Sequence, residues 1–180
     1  MKSDDTVWFT DPDYGILSDF TGNKAPSEIG ACHLFRADPR TGELRSVCGD
    51  IVKPNGLAFS PDERVLYVAD SGASHDLDGP HHILAFDVGG DGSLRNRRVF
   101  AVIGAGIPDG FRVDVDGNVW TSAEDGVHCI ASDGELLGKI RVPETVANVA
   151  FGGPKRNRLF IAAASSLYAV YVGTKGAQTP

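Results

Sequence analysis

The sequence predicts an all-β fold in which one hairpin unit is repeated along 180 residues. Residues 54–70 are typical of a β-hairpin, in which Asn55 leads a short apolar run, a Ser-Pro-Asp turn follows, and a run of strand formers returns. Hairpins of the same design begin at Asp109 and Asn148. The 22 glycines and 10 prolines favour turns, and no helical periodicity separates the hairpins. Repeats of four short strands are typical of a β-propeller.

The elements predicted along the chain group into four units within a single domain. The predicted blades are an incomplete one at 6–52, complete ones at 54–102 and 108–142, and an incomplete one at 147–172. Residues 16–31 are predicted to form a polar loop. The first unit lacks an inner strand, so we expect about four blades with an open N-terminal side. A β-sandwich is the competing all-β fold, but it does not explain the phasing of the repeats.

Each repeated hairpin carries a polar residue eleven positions before a large apolar residue of its second strand. The pairs are Asn55 with Leu66, Asp109 with Trp120, and Asn148 with Leu159. In a radial arrangement, the starts of the innermost strands converge on the central axis. Asn and Asp oxygens that converge there suit a hard divalent cation such as calcium or magnesium.

The composition excludes several kinds of partner. A formal net charge of −7 argues against nucleic-acid binding, which needs a basic surface. There is no stretch of 18 consecutive apolar residues and no apolar signal segment after Met1, so we expect a soluble protein with no membrane partner. The three cysteines are odd in number and lack metal-site spacing, which predicts free thiols and a cytoplasmic location.

Four motifs in register carry a resemblance to a known family. They are Trp8-Phe9-Thr10-Asp11-Pro12, the run from Pro54 to Asp62, Pro108-Asp109-Gly110, and the run from Asn148 to Gly153. Together they resemble the regucalcin and gluconolactonase family of six-bladed propeller lactonases, over residues 6–172. The resemblance implies a lactonase with one axial divalent metal ion, which is calcium, zinc, magnesium or manganese. The chain resembles the C-terminal three-fifths of that family, so we expect a truncated product or fragment.

The resemblance also assigns roles to individual residues. In the family, the metal is held by a Glu near the N-terminus, an Asn and an Asp, and the last two positions match Asn55 and Asp109. The Glu has no counterpart in this sequence. Asp109 is further the candidate general base, and Asp11 and Tyr14 are candidate substrate contacts in a loop that the family places near the pocket mouth. An axial Asn that contacts substrate in the family has no counterpart in this sequence. Asn148 is a candidate substrate contact that either lines the substrate pocket or only fills the axis.

Each of these residues also has a plain structural interpretation. Asp109 lies in a Pro-Asp-Gly turn, and Asn55 can bond its own backbone at a strand entry. Asp11 and Tyr14 belong to an Asp-Pro-Asp-Tyr-Gly segment whose residues favour a turn. Residues 114–118 superficially match a calcium loop but lack its later Glu, so a turn is predicted there. Ser74 and His75 fall in a polar loop without the motif of a nucleophile elbow.

Two functional hypotheses follow. The first is hydrolysis of a small sugar lactone by water, with the ring carbonyl polarised by the axial cation. The second is a truncated, non-catalytic propeller remnant that binds a metal or a partner without turnover. Open blades present unpaired edges and apolar faces, so self-association is also predicted.

Overall fold

In the computed structural model, which describes residues 1–178, four antiparallel sheets follow one another along the chain. The first sheet contains β1 (Val7–Asp11), β2 (His33–Asp38) and β3 (Glu43–Cys48). The second contains β4 (Pro54–Phe59), β5 (Val65–Asp70), β6 (His82–Val88) and β7 (Leu94–Val102). The third contains β8 (Phe111–Val113), β9 (Val119–Ala123), β10 (Gly126–Ile130) and β11 (Leu136–Arg141), and the fourth β12 (Val146–Gly152), β13 (Arg158–Ala163) and β14 (Leu167–Tyr171).

Within each sheet the strands pair in the order in which they occur in the chain. Two sheets have four strands and the outer two have three, so the predicted all-β propeller of about four blades is confirmed. The sheets do not close into a ring. The division of the chain at the predicted blade boundaries stays a prediction.

The helical content of the described residues is small, as expected. A single turn of helix, α1 (Tyr14–Leu17), lies partly within the segment predicted to be a polar loop, and a 3-10 turn spans Gly72–Ser74. The turn at α1 forms because the Ile16 N–H donates to the Asp13 carbonyl at 3.0 Å. The Ala25 N–H in turn donates to the Ile16 carbonyl at 3.1 Å, which folds the loop back onto α1.

Three apolar clusters hold successive sheets together. Trp8 and Leu66 belong to the cluster between the first and second sheets, and Phe111 to the one between the second and third. Leu159 belongs to the cluster between the third and fourth sheets. Within residues 1–178, no such cluster joins the first sheet to the fourth. Each cluster buries the inner faces of two neighbouring sheets, which is the packing that β-sheets require.

The outer faces of the end sheets leave large apolar side chains in solvent. They include Phe9 and Leu44 on the first sheet and Leu167 and Tyr171 on the fourth. Self-association through these faces stays a prediction. Cys32, Cys48 and Cys129 are free, while the cytoplasmic location inferred from them also stays a prediction. No helix among the described residues is long and apolar enough to cross a membrane.

The segment 114–118 is a turn, as predicted. The Asp114 carboxylate, fully buried, accepts hydrogen bonds from the backbone N–H groups of Asp116 and Asn118 and from the Asn118 side chain. It also accepts one from Trp120 Nε1 at 2.8 Å. This carboxylate therefore satisfies local donors, and its oxygens do not point to a calcium site.

Glu144 joins the loop before β12 to the β13–β14 turn. Its carboxylate accepts hydrogen bonds from the Ser165 backbone N–H and from the hydroxyls of Ser165, Ser166 and Tyr168, at 2.6 to 2.8 Å. These bonds favour the charged form and lower the pKa of Glu144 from 4.5 to about 2. A carboxyl whose pKa is lower in the folded state stabilises the fold at pH values above its unfolded-state pKa. This stabilisation is lost as pH falls through the folded-state pKa.

We expect Glu144→Gln to lower the melting temperature at neutral pH, because a neutral amide cannot accept these four bonds as a carboxylate does. The difference from the unsubstituted chain should shrink as pH falls from about 5 toward about 2. Thermal melts at several pH values test this. Glu135→Gln, on an exposed turn, should show no such pH-dependent difference, and an equal response of both variants would contradict the role of Glu144.

Candidate active site

Asn55 and Asp109 meet where the innermost strands of the second and third sheets come together. The Gly56 N–H donates to the Asp109 carbonyl at 3.1 Å, which places the two polar residues side by side. Gly56 allows this approach, because a β-carbon there would lie 2.3 Å from the Asp109 carbonyl oxygen. Both side chains are half-buried. Two of the three residues selected by the eleven-residue spacing are therefore neighbours in space.

Hydroxyl groups fix the backbone on both sides of this pair. The Ser71 hydroxyl donates to the Pro108 carbonyl at 2.5 Å, and the Asp109 N–H donates to the Ser122 hydroxyl at 2.9 Å. Both serine side chains are completely buried. On the other side, Thr10 Oγ1 donates to the Asn55 carbonyl at 2.8 Å. The pair is thus held by bonds from the first, second and third sheets.

The environment of the Asp109 carboxyl is unfavourable to its charge. Burial raises the pKa of Asp109 above its usual range, and a hydrogen bond with the Asn55 side chain opposes this only in part. A cation bound beside the carboxylate would relieve the cost of ionisation. The observation therefore fits a positively charged ligand at this position.

The donor set suits a hard divalent cation but is small. Asn55 and Asp109 offer one amide oxygen and one carboxylate, which are the oxygen donors that calcium and magnesium prefer. Within the part of the chain that the structure describes, no group of three or more His, Cys, Asp or Glu side chains could hold a metal ion. The two residues fit as part of a coordination shell whose remaining donors they do not supply.

Asn148 lies against Gly110, the residue that follows Asp109. The Gly110 N–H donates to the Ala147 carbonyl at 2.8 Å, just as Gly56 donates to Asp109. A register shift between Val146 and Asn148 accompanies this contact, as a shift between Pro54 and Leu57 does in β4. The exposed Asn148 side chain covers Gly110, where a β-carbon would lie 2.2 Å from its Oδ1.

Tyr14, at the start of α1, contacts the loop after β5 and lies beneath the Lys53 ammonium. Its hydroxyl lies 3.2 Å from Ser74 Oγ. Burial raises the pKa of the phenol, the Ser74 hydroxyl lowers it, and the negative charge of Asp109 raises it further. The influence of Asp109 places Tyr14 within electrostatic reach of the axial pair.

Asp11 directly follows Thr10, whose hydroxyl bonds the Asn55 carbonyl. It is exposed at the end of β1 and lines a cavity of about 430 Å³ between that strand and the loop 25–31. Neither Asn55 nor Asp109 lines this cavity. Asp11 and Tyr14 therefore have different surroundings: Asp11 lines this cavity, whereas the Tyr14 hydroxyl contacts Ser74.

Lys53 places a positive charge at the rim of the site. Its ammonium group pairs with the Asp13 carboxylate and lies 5.8 Å from the centre of the Tyr14 ring. Burial opposes ionisation of Asp13, but the hydrogen bond and charge of Lys53 outweigh it and lower the pKa of this carboxyl. The ion pair fixes the segment before Asn55 against the loop that carries Tyr14.

Comparison with known proteins identifies the family of this chain. Residues 1–165 match the family model described as the SMP-30/Gluconolactonase/LRE-like region. The chain belongs to this family. The resemblance inferred from the four sequence motifs is thereby confirmed.

Relatives within the SMP-30/gluconolactonase family have similar sequences and folds. The chain is 36% identical to the gluconolactonase of Zymomonas mobilis over 180 residues, covering 94% of this chain and 48% of that protein. It is 29% identical to the lactonohydrolase oryL of Aspergillus oryzae, covering 94% of this chain and 42% of that protein. A solved gluconolactonase structure from Xanthomonas campestris is 38% identical with a TM-score of 0.85, covering 95% and 55% of the two chains. The chain thus spans about half the length of these relatives.

Several residues around this gluconolactonase-family site were not identified from the sequence. Ser71 and Ser122 bond backbone groups distant in sequence, and nothing in their local patterns marks them. Ser74 and His75 were interpreted as loop residues, and only their contact with Tyr14 connects them to the site. Lys53 was not identified either, although its position two residues before the axial Asn55 indicates that it lies near the site.

Proposed function

We propose that the site around Asn55 and Asp109 hydrolyses a sugar lactone, with water as the nucleophile. The observation that carries this proposal is the half-buried Asp109 carboxyl, whose pKa is raised and which is held rigidly beside Asn55 at the meeting point of two inner strands. The names of the similar gluconolactonase and lactonohydrolase support the same chemistry.

Asp109 is suited to be the general base. A carboxylate accepts a proton from water more effectively when its pKa lies closer to the working pH, and burial shifts Asp109 in that direction. The water oxygen attacks the lactone carbonyl carbon while its proton passes to an Asp109 oxygen. Cleavage of the ring C–O bond then yields a hydroxy acid. Ser71 and Ser122 hold the backbone of this loop, so the base does not need to reorganise during the reaction.

A divalent cation would add electrophilic catalysis. Asn55 and Asp109 are the residues that would hold it, and calcium, zinc, magnesium and manganese are the candidates. When bound, such a cation polarises the carbonyl and lowers the pKa of water. Asn148, Tyr14 and Asp11 are proposed to contact the polyhydroxylated substrate.

A second candidate function is binding without turnover. The small donor set favours it, because one carboxylate and one amide hold a hard cation weakly, and a weakly held cation contributes little to catalysis. In this case the chain would bind a metal or a partner but would not accelerate lactone hydrolysis.

The deciding experiment is pH-stat hydrolysis of glucono-1,5-lactone by the purified chain. Rates above the spontaneous background should appear with calcium, zinc, magnesium or manganese and disappear with chelator. Calorimetric titration of each metal into the chain measures binding in parallel. Metal binding without turnover by folded protein would support the second function, and turnover unaffected by chelator would contradict the metal-dependent mechanism.

A further inference from the structure

We propose that the Tyr14 phenol is a catalytic acid that protonates the leaving ring oxygen of the lactone and regains its proton from His75 through Ser74. This inference rests on the proposed function and adds the group that completes it. Opening of an aliphatic lactone expels an alkoxide, which is a poor leaving group unless a proton reaches it. Asp109, acting as base, removes a proton from water and leaves this second task to another residue.

A chain of hydrogen-bonding groups runs from the site to the surface. Tyr14 Oη lies 3.2 Å from Ser74 Oγ, which lies 2.8 Å from His75 Nδ1. The rings of Tyr14 and His75 are also 5.4 Å apart at a tilt of 40°. Ser74 and His75 are exposed, so the imidazole can exchange protons with water.

The environment keeps the phenol protonated and ready to donate. Burial and the charge of Asp109 raise the pKa of Tyr14, while Ser74 and the Lys53 ammonium act in the opposite direction. Lys53 lies above the ring rather than bonding the hydroxyl, because its ammonium pairs with Asp13. Lys53 also stabilises negative charge that develops on the phenol as its proton leaves.

Neighbouring hydroxyls are engaged elsewhere. Thr10 donates its proton to the Asn55 carbonyl, and Ser71 donates to the Pro108 carbonyl. These protons hold the backbone of the site and are not free to transfer. The Tyr14 hydroxyl faces another hydroxyl, Ser74, which can both donate and accept.

The proton balance of the step is closed. The ring C–O bond breaks, the electron pair stays on oxygen, and the Tyr14 proton forms the new O–H bond. The phenolate takes a proton from Ser74, which takes one from protonated His75, which is reprotonated by solvent. After ring opening, Asp109 releases to solvent the proton that it removed from water, and both residues are then ready for the next substrate molecule.

The test compares two lactones that differ in their leaving group. Glucono-1,5-lactone expels an alkoxide, whereas 3,4-dihydrocoumarin expels a phenolate whose conjugate acid has a pKa of about 10 and which leaves without a proton. We expect Tyr14→Phe to lower kcat for glucono-1,5-lactone by about 100-fold with little change in KM, whereas loss of a binding contact alone would raise KM. The kcat for dihydrocoumarin should be nearly unchanged. Ser74→Ala should produce the same selectivity with a smaller loss. Tyr171→Phe, on the exposed face of β14, is the matched control and should affect neither substrate.

The outcomes separate this role from the proposed function. Equal losses with both lactones, or no loss with either, would overturn the acid role of Tyr14 while leaving the lactonase proposal intact. Hydrolysis of dihydrocoumarin alone by the unsubstituted chain would also overturn it, since no acid would then be acting. Failure of the unsubstituted, folded chain to hydrolyse either lactone would contradict the proposed function itself and the acid role with it.

Discussion

We expect Gly56→Ala to lower the free energy of unfolding by about 3 kcal/mol and lactone hydrolysis by about 100-fold. The added β-carbon would lie 2.3 Å from the Asp109 carbonyl oxygen and 3.1 Å from Gly110 Cα. Both contacts are with backbone, so relief requires the second and third sheets to separate. Separation breaks the hydrogen bond from the Gly56 N–H to Asp109 and moves the proposed base.

Denaturant unfolding and pH-stat kinetics measure the two effects. Gly138→Ala is the matched control, because Gly138 also lies within a strand but nothing stands within 4 Å of the β-carbon position. Its stability should change by less than about 1 kcal/mol, and its activity should be that of the unsubstituted chain. Similar behaviour of the two alanine variants would show that the close approach at Gly56 does not position Asp109.

Asp109→Asn is expected to abolish most activity while stabilising the fold. Loss of a general base should reduce kcat/KM by roughly 10² to 10⁴-fold. Because burial raises the pKa of Asp109, its ionised form destabilises the folded chain, and a neutral amide removes that cost. The gain should be absent at low pH, grow as pH rises through the usual aspartate range, and be complete above the folded-state pKa.

Melting curves in chelator test the stability of this variant, since a bound cation would favour the unsubstituted chain by mass action. With metal added, the unsubstituted chain should melt at a higher temperature than Asp109→Asn if Asp109 holds the cation. Asp133→Asn, on an exposed turn, should change neither stability nor activity. A stable Asp109→Asn chain with full activity would rule out Asp109 as the base.

Much of the candidate site could be predicted from the sequence, and the exceptions have identifiable causes. The repeat spacing selected Asn55 and Asp109, which the Gly56 hydrogen bond brings side by side. The same spacing selected Asn148, whose side chain lies against Gly110. The register shifts in β4 and β12 depend on how each strand pairs with its neighbour, and the local sequence does not reveal them.

Contacts between loops are harder to predict from the sequence than strands are. Lys53 and Asp13 are 40 residues apart, and Tyr14 and Ser74 are 60 apart, yet each pair is in contact. Sequence patterns recognise a turn or a polar loop from its own residues. They do not report which loop from another sheet will lie against it.

The sequence by itself determined the strands, the turns, the repeat and the family, because alternation of side chains, turn residues and repeated motifs are local properties of the chain. Only the tertiary structure decided that Tyr14 contacts Ser74 and Lys53. It alone also placed Asp109 beside Asn55. It also decided that the Asp109 carboxyl is costly to ionise. Burial and long-range electrostatics arise from the packing of separate sheets, so they come into existence only when the sheets assemble.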